Sequence, residues 1–580
     1  MPQGRKKIPF SGKQKKLQLQ HKRDKKKNQN EETSNEDSIV TSGNVSIADE
    51  GKNFLEDVVK LNQQPSRQGT NTANRYRLHF RKETNQEIQK RKQLAGIPFE
   101  VLSQEALEVS YEDIFLPGSV LDIPKRPPWN YSMSKEQLEA REQKHFREYL
   151  QKIEQEFKSE ELSYFEMNLE TWRQLWRVLE MSDIVMLIVD IRYPVLHFSP
   201  ALYDYVTSDL GKDIILVLNK IDLVPAPIVL AWKHYFQQQF PQVYIVCFSA
   251  YSGMKQAAGK RGRRIGKLKM AAEGAKRLFD VCEKIVHSKV DLSSWEKKIE
   301  EEINSSFSAS DNCEEEKNPL VGAEIKVTSA DCSHYRSEKF KDGILTIGCV
   351  GHPNVGKSSV LNGVMGKKVV SVSRTPGHTK HFQTIYLTPT VRLCDCPGLV
   401  FPSKIPKPLQ ILTGCYPIAQ VREPYSVVMY LAQRVPVPEI LKLQHPNQEG
   451  NMASQPEPWS AFDICEAWAI KRGFLTKRTA RPDVYRAANN ILRLSLDGRT
   501  LCLTFYPPGY TTEKEKWSLH PEVNEIKALQ HSEKINYNNK SEVGEENLSE
   551  SSNCEEDSEN EKSEKFLSDE QNMFSVLSDM

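Results

Sequence analysis

The sequence predicts an α/β fold, a mostly parallel sheet with helices on both faces, followed by a C-terminal helical domain and flanked by disordered termini. Three observations predict it. Six short runs rich in Val, Ile and Leu alternate with helical patterns between residues 169 and 400. Such runs, lacking polar alternation, are strands buried on both faces. One of them leads directly into a loop with two glycines and then a helix. The two ends of the chain are polar blocks of opposite charge, which stay solvated.

In chain order, residues 1–70 read as a disordered basic region. They carry Arg5, Lys6, Lys7, Lys13, Lys15, Lys16, Lys22, Arg23, Lys25, Lys26 and Lys27, a block suited to RNA or to nuclear import factors. Residues 71–168 read as a mixed helical extension. Its clearest helix starts at Ser134, with Gln137 at the capping-box position. From 169 to 425 comes the sheet domain. It opens with an amphipathic helix over Leu169–Glu180, with Trp172, Leu175, Trp176 and Leu179 at i, i+3, i+4 and i+7. Its strands are Ile184–Val189, Ile214–Leu218, Val243–Cys247, Ile344–Val350, Thr384–Leu387 and Val391–Cys394. Flexible insertions are expected near 254–270, which is basic, and 300–338, which is acidic. Residues 426–512 read as the helical domain and 513–580 as a disordered acidic tail, Ser-rich and open to phosphorylation.

Composition sets the remaining bounds. The chain has 580 residues and 27% charged residues, yet a net charge of only +2. That length exceeds one core. The longest apolar run is too short to span a bilayer, no apolar h-region follows the N-terminus, and the 11 Cys form no disulfide framework. A soluble intracellular protein is expected, with no membrane partner and no DNA-binding motif.

The strongest motif is Gly351-His-Pro353-Asn354-Val355-Gly356-Lys357-Ser358, placed between a strand and a helix as a phosphate loop requires. Its glycines turn backbone N–H groups onto phosphate oxygens, and the helix N-terminus, from Ser359 onward, adds partial positive charge. Lys357 should reach the β- and γ-phosphates, and the Ser358 hydroxyl should bind Mg²⁺.

A guanine reader lies upstream. Asn219-Lys220-Ile221-Asp222 ends a buried strand. The Asp222 carboxylate can accept from guanine N1–H and N2–H₂, donors that adenine lacks. Asn219 can tie neighbouring loops, and the Lys220 stem can lie over the base. After the next strand, the backbone N–H groups of Ser249-Ala250 can meet guanine O6. GTP and GDP are therefore the expected ligands. The guanine loop precedes the phosphate loop in sequence, so the fold expected is a circularly permuted P-loop GTPase domain. An open parallel sheet tolerates this, because the pocket depends on which loops meet at the carboxyl ends of the strands.

Two further elements follow. Thr375-Pro-Gly-His-Thr379 offers Thr379 as the hydroxyl completing the Mg²⁺ shell, with Thr375 as the weaker candidate. In Asp395-Cys-Pro397-Gly398, Asp395 should approach Mg²⁺ and the Gly398 N–H should touch the γ-phosphate. The next residue is Leu399, where a water-orienting Gln often stands. Leucine cannot polarise water. Catalysis is therefore assigned to Lys357, Thr379, Gly398 and Asn354. The last of these is a candidate to hold K⁺ against the phosphates. A low intrinsic rate is expected, and a scaffold that binds GTP with little hydrolysis stays open as the alternative.

The order NKID, FSA, GHPNVGKS, TPGHT, DCPG resembles that of the circularly permuted GTPases of the YlqF/YawG family. Asp190-Ile191-Arg192-Tyr193-Pro194 looks like that family's D-A-R-x-P element, with Ile191 in place of Ala. The resemblance implies a GTPase core joined to a helical domain. It also implies a nucleotide-controlled switch in ribosome assembly or nucleolar processes, with RNA or pre-ribosomal particles as partners. The location implied is nuclear or nucleolar, with shuttling to the cytoplasm.

Overall fold

The computed structural model describes residues 58–60, 78–115, 121–158, 161–249, 260–308, 339–372, 382–446, 457–476 and 479–531, apart from positions 82, 122, 131, 368 and 371. Within 260–308, side chains are described from 273 to 302. The basic N-terminal block, Ala250, most of the acidic insertion, the Thr375–Thr379 loop and the tail beyond 531 lie outside the described residues.

Two short strands, β1 (Val58–Lys60) and β2 (His79–Arg81), pair antiparallel. The main sheet contains β3 (Ile184–Asp190), β4 (Asp213–Asn219), β5 (Tyr244–Phe248), β6 (Leu345–Val350), β7 (Gln383–Thr388) and β8 (Val391–Asp395), in the order β5-β4-β3-β6-β8-β7. Every neighbouring pair is parallel except β7 with β8. Each strand lies within about two residues of its expected span, because the apolar runs that mark them are buried.

The strand period of two sorts side chains to two cores. Val185, Leu187, Val189, Leu216 and Leu218 enter one, while Ile184, Met186, Ile188, Ile215 and Val217 enter the other. On the first face lie helices Leu169–Met181 and Ala226–Gln239; on the second lie Lys260–Val286, Ser293–Ser308 and Lys357–Met365. Helices on both faces are thus present as expected.

From β3 the chain steps outward through β4 to β5, then returns to the far side of β3 as β6 and continues toward β8 and β7. The reversal lies between β3 and β6. This is the switch point at which open α/β sheets bind ligands, beyond the carboxyl ends of the strands.

Around this frame the sequence reading needs four adjustments. The helix from Lys135 has the anticipated capping box at Ser134 and Gln137. Helix Leu169–Met181, however, buries Arg173 and Gln174 along with its apolar stripe. The reason is a second layer: Arg173 Nε donates to Glu142 Oε2 at 2.7 Å, on helix Lys135–Glu156. The expected flexible spans 254–270 and 300–338 are entered by the helices Lys260–Val286 and Ser293–Ser308. The helical region beyond 425 shares a continuous core with the first face of the sheet through Val427, Leu431, Ile464, Trp468 and Ile491. Finally, order does not stop at 512. Short helix Lys514–Ser518 and helix Val523–His531 follow, and Val523, Ile526 and Leu529 are buried at 2%, 4% and 6% exposure. These three sit at i, i+3 and i+6 among polar residues, too sparse a stripe to stand out against the acidic tail. Among the described residues, no helix is long and apolar enough to cross a membrane.

Candidate guanine-nucleotide site

The two distant motifs meet directly. Asn219 ends β4, is 1% exposed, and donates from Nδ2 to the Val355 carbonyl at 2.8 Å. Lys220 has a left-handed backbone, φ 63°. Its Nζ donates to the Asn354 carbonyl at 2.8 Å and to Asp190 Oδ2 at 2.7 Å. Two residues of the guanine loop therefore hold two carbonyls of the phosphate loop. Gly356 is required at this junction: its φ is 102°, and a Cβ there would lie 2.3 Å from Asn219 Nδ2.

Asp222, the residue expected to read the base, lies three residues beyond the end of β4. Ser249 Oγ donates to its Oδ1 at 2.8 Å. Burial raises the Asp222 pKa, and the Ser249 hydrogen bond opposes that rise. A desolvated carboxylate aimed by one hydroxyl is a strong acceptor for a pair of N–H donors.

At the phosphate end, Lys357 Nζ donates to the carbonyls of Gly351 at 2.9 Å and His352 at 2.7 Å. Burial lowers its pKa, and nearby Asp395 raises it. The ammonium thus rests on loop carbonyls, from which anionic oxygens can draw it. His352 does not face the phosphate side. Its ring is buried between His197, at a 5.0 Å centroid distance, and Phe401, at 5.2 Å.

Ser358 Oγ lies 3.5 Å from Asp395 Oδ2. Asp395 is fully buried, and its Oδ1 has no hydrogen-bond partner among the described residues. Burial pushes its pKa up to about 6, against the pull of Lys357 and Ser358. An orphaned buried carboxylate oxygen beside a hydroxyl suits Mg²⁺. Ser358 and Asp395 would hold the ion, which would supply positive charge to the β- and γ-phosphate oxygens. The Asp395–Gly398 loop packs on the phosphate loop: the Leu399 N–H donates to the Gly351 carbonyl at 3.3 Å, and a Cβ on Gly398 would meet Pro353 Cα at 2.8 Å. Cys394 and Cys396 are buried free thiols.

The structure brings together Asn219, Lys220, Asp222, Ser249, Gly351, Pro353, Asn354, Val355, Gly356, Lys357, Ser358, Ser359, Asp395, Pro397 and Gly398 at the carboxyl ends of β4, β5, β6 and β8. A family model described as 50S ribosome-binding GTPase matches residues 346–426. It takes in the phosphate loop and Asp395–Gly398 and leaves out the guanine loop at 219–222, as the permuted order requires. Guanine nucleotide-binding protein-like 1 of Pongo abelii is 50% identical over 551 residues, covering 90% of this chain and 89% of the relative. The chain belongs to the guanine nucleotide-binding protein-like 1 family. The Mus musculus member of that family is also 50% identical, over 90% of this chain and 88% of its own length. Beyond the family, the large subunit GTPase 1 homolog of Bos taurus is 33% identical, with 67% of each chain covered. A solved GDP-bound structure of TM YlqF aligns over 58% of this chain and 99% of its own, at 17% identity and a TM-score of 0.31, too distant a likeness to argue from. As a member of the guanine nucleotide-binding protein-like 1 family, the protein is a GTP-binding protein with a circularly permuted GTPase domain.

One feature escaped the residue-level reading. Asp190 and Arg192, 1% and 0% exposed, form a two-pronged ion pair, with Nε to Oδ1 at 3.1 Å and Nη2 to Oδ2 at 2.9 Å. Burial alone would raise the Asp190 pKa; Arg192 and Lys220 outweigh it and hold the carboxylate well below its usual range. The other end of Arg192 donates to the carbonyls of Ser495 at 3.0 Å and Leu496 at 3.3 Å, at the end of helix Val484–Asp497. Gly498, φ 73°, admits it: a Cβ there would lie 2.5 Å from Arg192 Nη1. The D-x-R spacing within a family motif was the available signal.

The raised Asp395 pKa gives a pH prediction for the guanine nucleotide-binding protein-like 1 fold. A folded pKa pushed up to about 6, above the ordinary carboxylate range, means that the folded state favours the neutral carboxyl. The associated stability is present at low pH and is lost as pH rises through about 6, at a cost on the order of 3 kcal/mol in the cation-free protein. A divalent cation removes this cost by displacing the proton. Calorimetric affinity for Mg²⁺·GDP is therefore expected to fall as pH drops below about 6, with proton release on binding. Asp395→Asn should abolish that dependence; an unchanged profile in the variant would refute it.

Proposed function

We propose that the protein is a slow GTPase whose nucleotide state is read by its helical region, acting in ribosome assembly or nucleolar processes. Leu399 carries the first part. It is 1% exposed and fixed by its backbone to Gly351, so no side chain at that position orients a water. The reading of a switch is supported by the phosphate loop itself. Asn354 Nδ2 donates to the Gly414 carbonyl at 2.8 Å, and Gly414 opens the segment leading to helix Tyr425–Ala432. Movement of the loop on phosphate binding therefore reaches the helical region through one hydrogen bond.

The same contact fixes the amide of Asn354, the residue proposed to help hold K⁺. A monovalent cation there would supply the positive charge that Leu399 cannot recruit. For RNA or pre-ribosomal partners, the support is the exposed Arg481, Arg493 and Arg499 and the basic N-terminal block, together with the names of the relatives. Two other cations of the helical region serve the fold. Lys471 donates to the Leu441 and Lys442 carbonyls, and Arg486 covers the Phe474 ring at 4.7 Å. Nuclear or nucleolar location with shuttling is proposed from the basic N-terminal block.

Single-turnover hydrolysis decides the reading. The expected rate alone is at or below about 10⁻³ s⁻¹, faster in K⁺ than in Na⁺, and faster again with large ribosomal subunits. Equal turnover in both salts would remove the cation. No turnover in any arm would leave a GTP-binding scaffold.

A further inference from the structure

We propose that His234, His520 and Glu522 form a divalent-cation site of the zinc class that clips the C-terminal helices to the helix behind the guanine loop. His234 lies on helix Ala226–Gln239, which begins just after Asp222. His520 and Glu522 lie in the turn between helices Lys514–Ser518 and Val523–His531. Nearly 300 residues of sequence thus separate the two halves of the cluster, and only the fold joins them.

The geometry is that of a ligand set. One ligand atom from each residue lies within 4.8 Å of the other two. His234 Nε2 and Glu522 Oε1 are 3.6 Å apart. Two ligands of a tetrahedral zinc at about 2.1 Å stand about 3.4 Å from one another, so this pair needs little adjustment. The two imidazoles meet edge to face at 5.2 Å. His234 Nε2 is buried and makes no hydrogen bond, an unpartnered atom that a cation would satisfy. Lys233 Nζ occupies the other carboxylate oxygen, Oε2, at 2.6 Å, which turns Oε1 toward His234. Two imidazoles and one carboxylate, with water as the fourth ligand, match zinc better than Mg²⁺ or Ca²⁺, which prefer oxygen.

The clip sits where it can act on the nucleotide. At the far end of helix Val523–His531, Gln530 Nε2 donates to the carbonyls of Ile221 and Val224, both at 2.7 Å. These carbonyls flank Asp222. A cation anchoring His520 and Glu522 to His234 holds that helix in place and keeps the guanine loop braced. This consequence rests on the guanine-loop assignment; the cation site itself does not.

The test uses the full chain with GDP·Mg²⁺ present, so that the nucleotide site is occupied, and Zn²⁺ alone as the probe. Calorimetry is expected to show one zinc bound at this site, with affinity at least tenfold weaker in His520→Ala and in Glu522→Gln. Zinc should raise the melting temperature of the wild type and not of either variant, while all three melt alike in EDTA. It should also slow GDP release in the wild type alone. Equal zinc affinity in wild type and His520→Ala would overturn the site. Zinc binding lost in the variants without any effect on GDP release would uphold the site and remove only its link to the guanine loop.

Discussion

Replacing Asp222 by Asn is expected to move nucleotide preference from guanine to xanthine and to weaken GTP binding by at least about a hundredfold. Asparagine presents an amide N–H₂ where guanine also presents donors, so two favourable contacts become a clash of like groups. Hydrogen bonds to a charged acceptor are worth about 1.5–3 kcal/mol each, so losing two of them reaches this magnitude. Xanthine carries a carbonyl at the position of the guanine amine and accepts from the new amide. The surroundings should survive the change. Ser249 Oγ, which now donates to Asp222 Oδ1 at 2.8 Å, can equally donate to the asparagine oxygen. Because burial already raises the Asp222 pKa, the neutral side chain should not destabilise the fold. Competition of labelled GDP by XDP and GDP checks the prediction. Retained guanine preference would mean that Asp222 does not face the base.

The second large effect concerns Arg192. Arg192→Met is expected to destabilise the protein by about 3–5 kcal/mol, the cost of leaving a buried charge unpaired. Asp190 would keep only Lys220 as a charged partner, and the Ser495 and Leu496 carbonyls would lose their donor. The double variant Asp190→Asn with Arg192→Met removes both charges and should recover part of the loss. Urea unfolding compares the three proteins. GDP affinity should also fall in the single variant, because Asp190 positions Lys220, and Lys220 holds the Asn354 carbonyl. Wild-type stability in Arg192→Met would show that this network contributes nothing to the fold.

Much of this was legible in the residues. The strands were, because β3 and β4 are apolar on both faces and no helix of a mixed surface reads that way. The phosphate loop was, because its glycines and lysine are demanded by local geometry rather than by neighbours. Other features depend on distance in sequence. Arg192 meets Ser495 across 303 positions, and no local pattern announces a carbonyl partner. His234 is an ordinary helix residue until His520 and Glu522 arrive beside it. Helix Val523–His531 was hidden by composition: three apolar residues suffice to bury it, but the flanking charge resembles the tail. His352 lies inside the phosphate-loop motif, yet its ring is buried against Phe401.

The bonds across the pocket also set a timetable for biosynthesis. Asn219 cannot reach the Val355 carbonyl until 136 more residues exist, and Gln530 meets Ile221 only 309 residues later. At about 5–20 residues per second, the guanine loop leaves the ribosome roughly 15–60 seconds before its last brace. During that interval Arg192 has its carboxylate but not its carbonyls, and the first face of the sheet has helices Leu169–Met181 and Ala226–Gln239 but not the helical region beyond 425 that completes its core. A nascent chain in this condition needs protection from premature association, and the guanine loop gains its Gln530 brace only once residue 530 has been made.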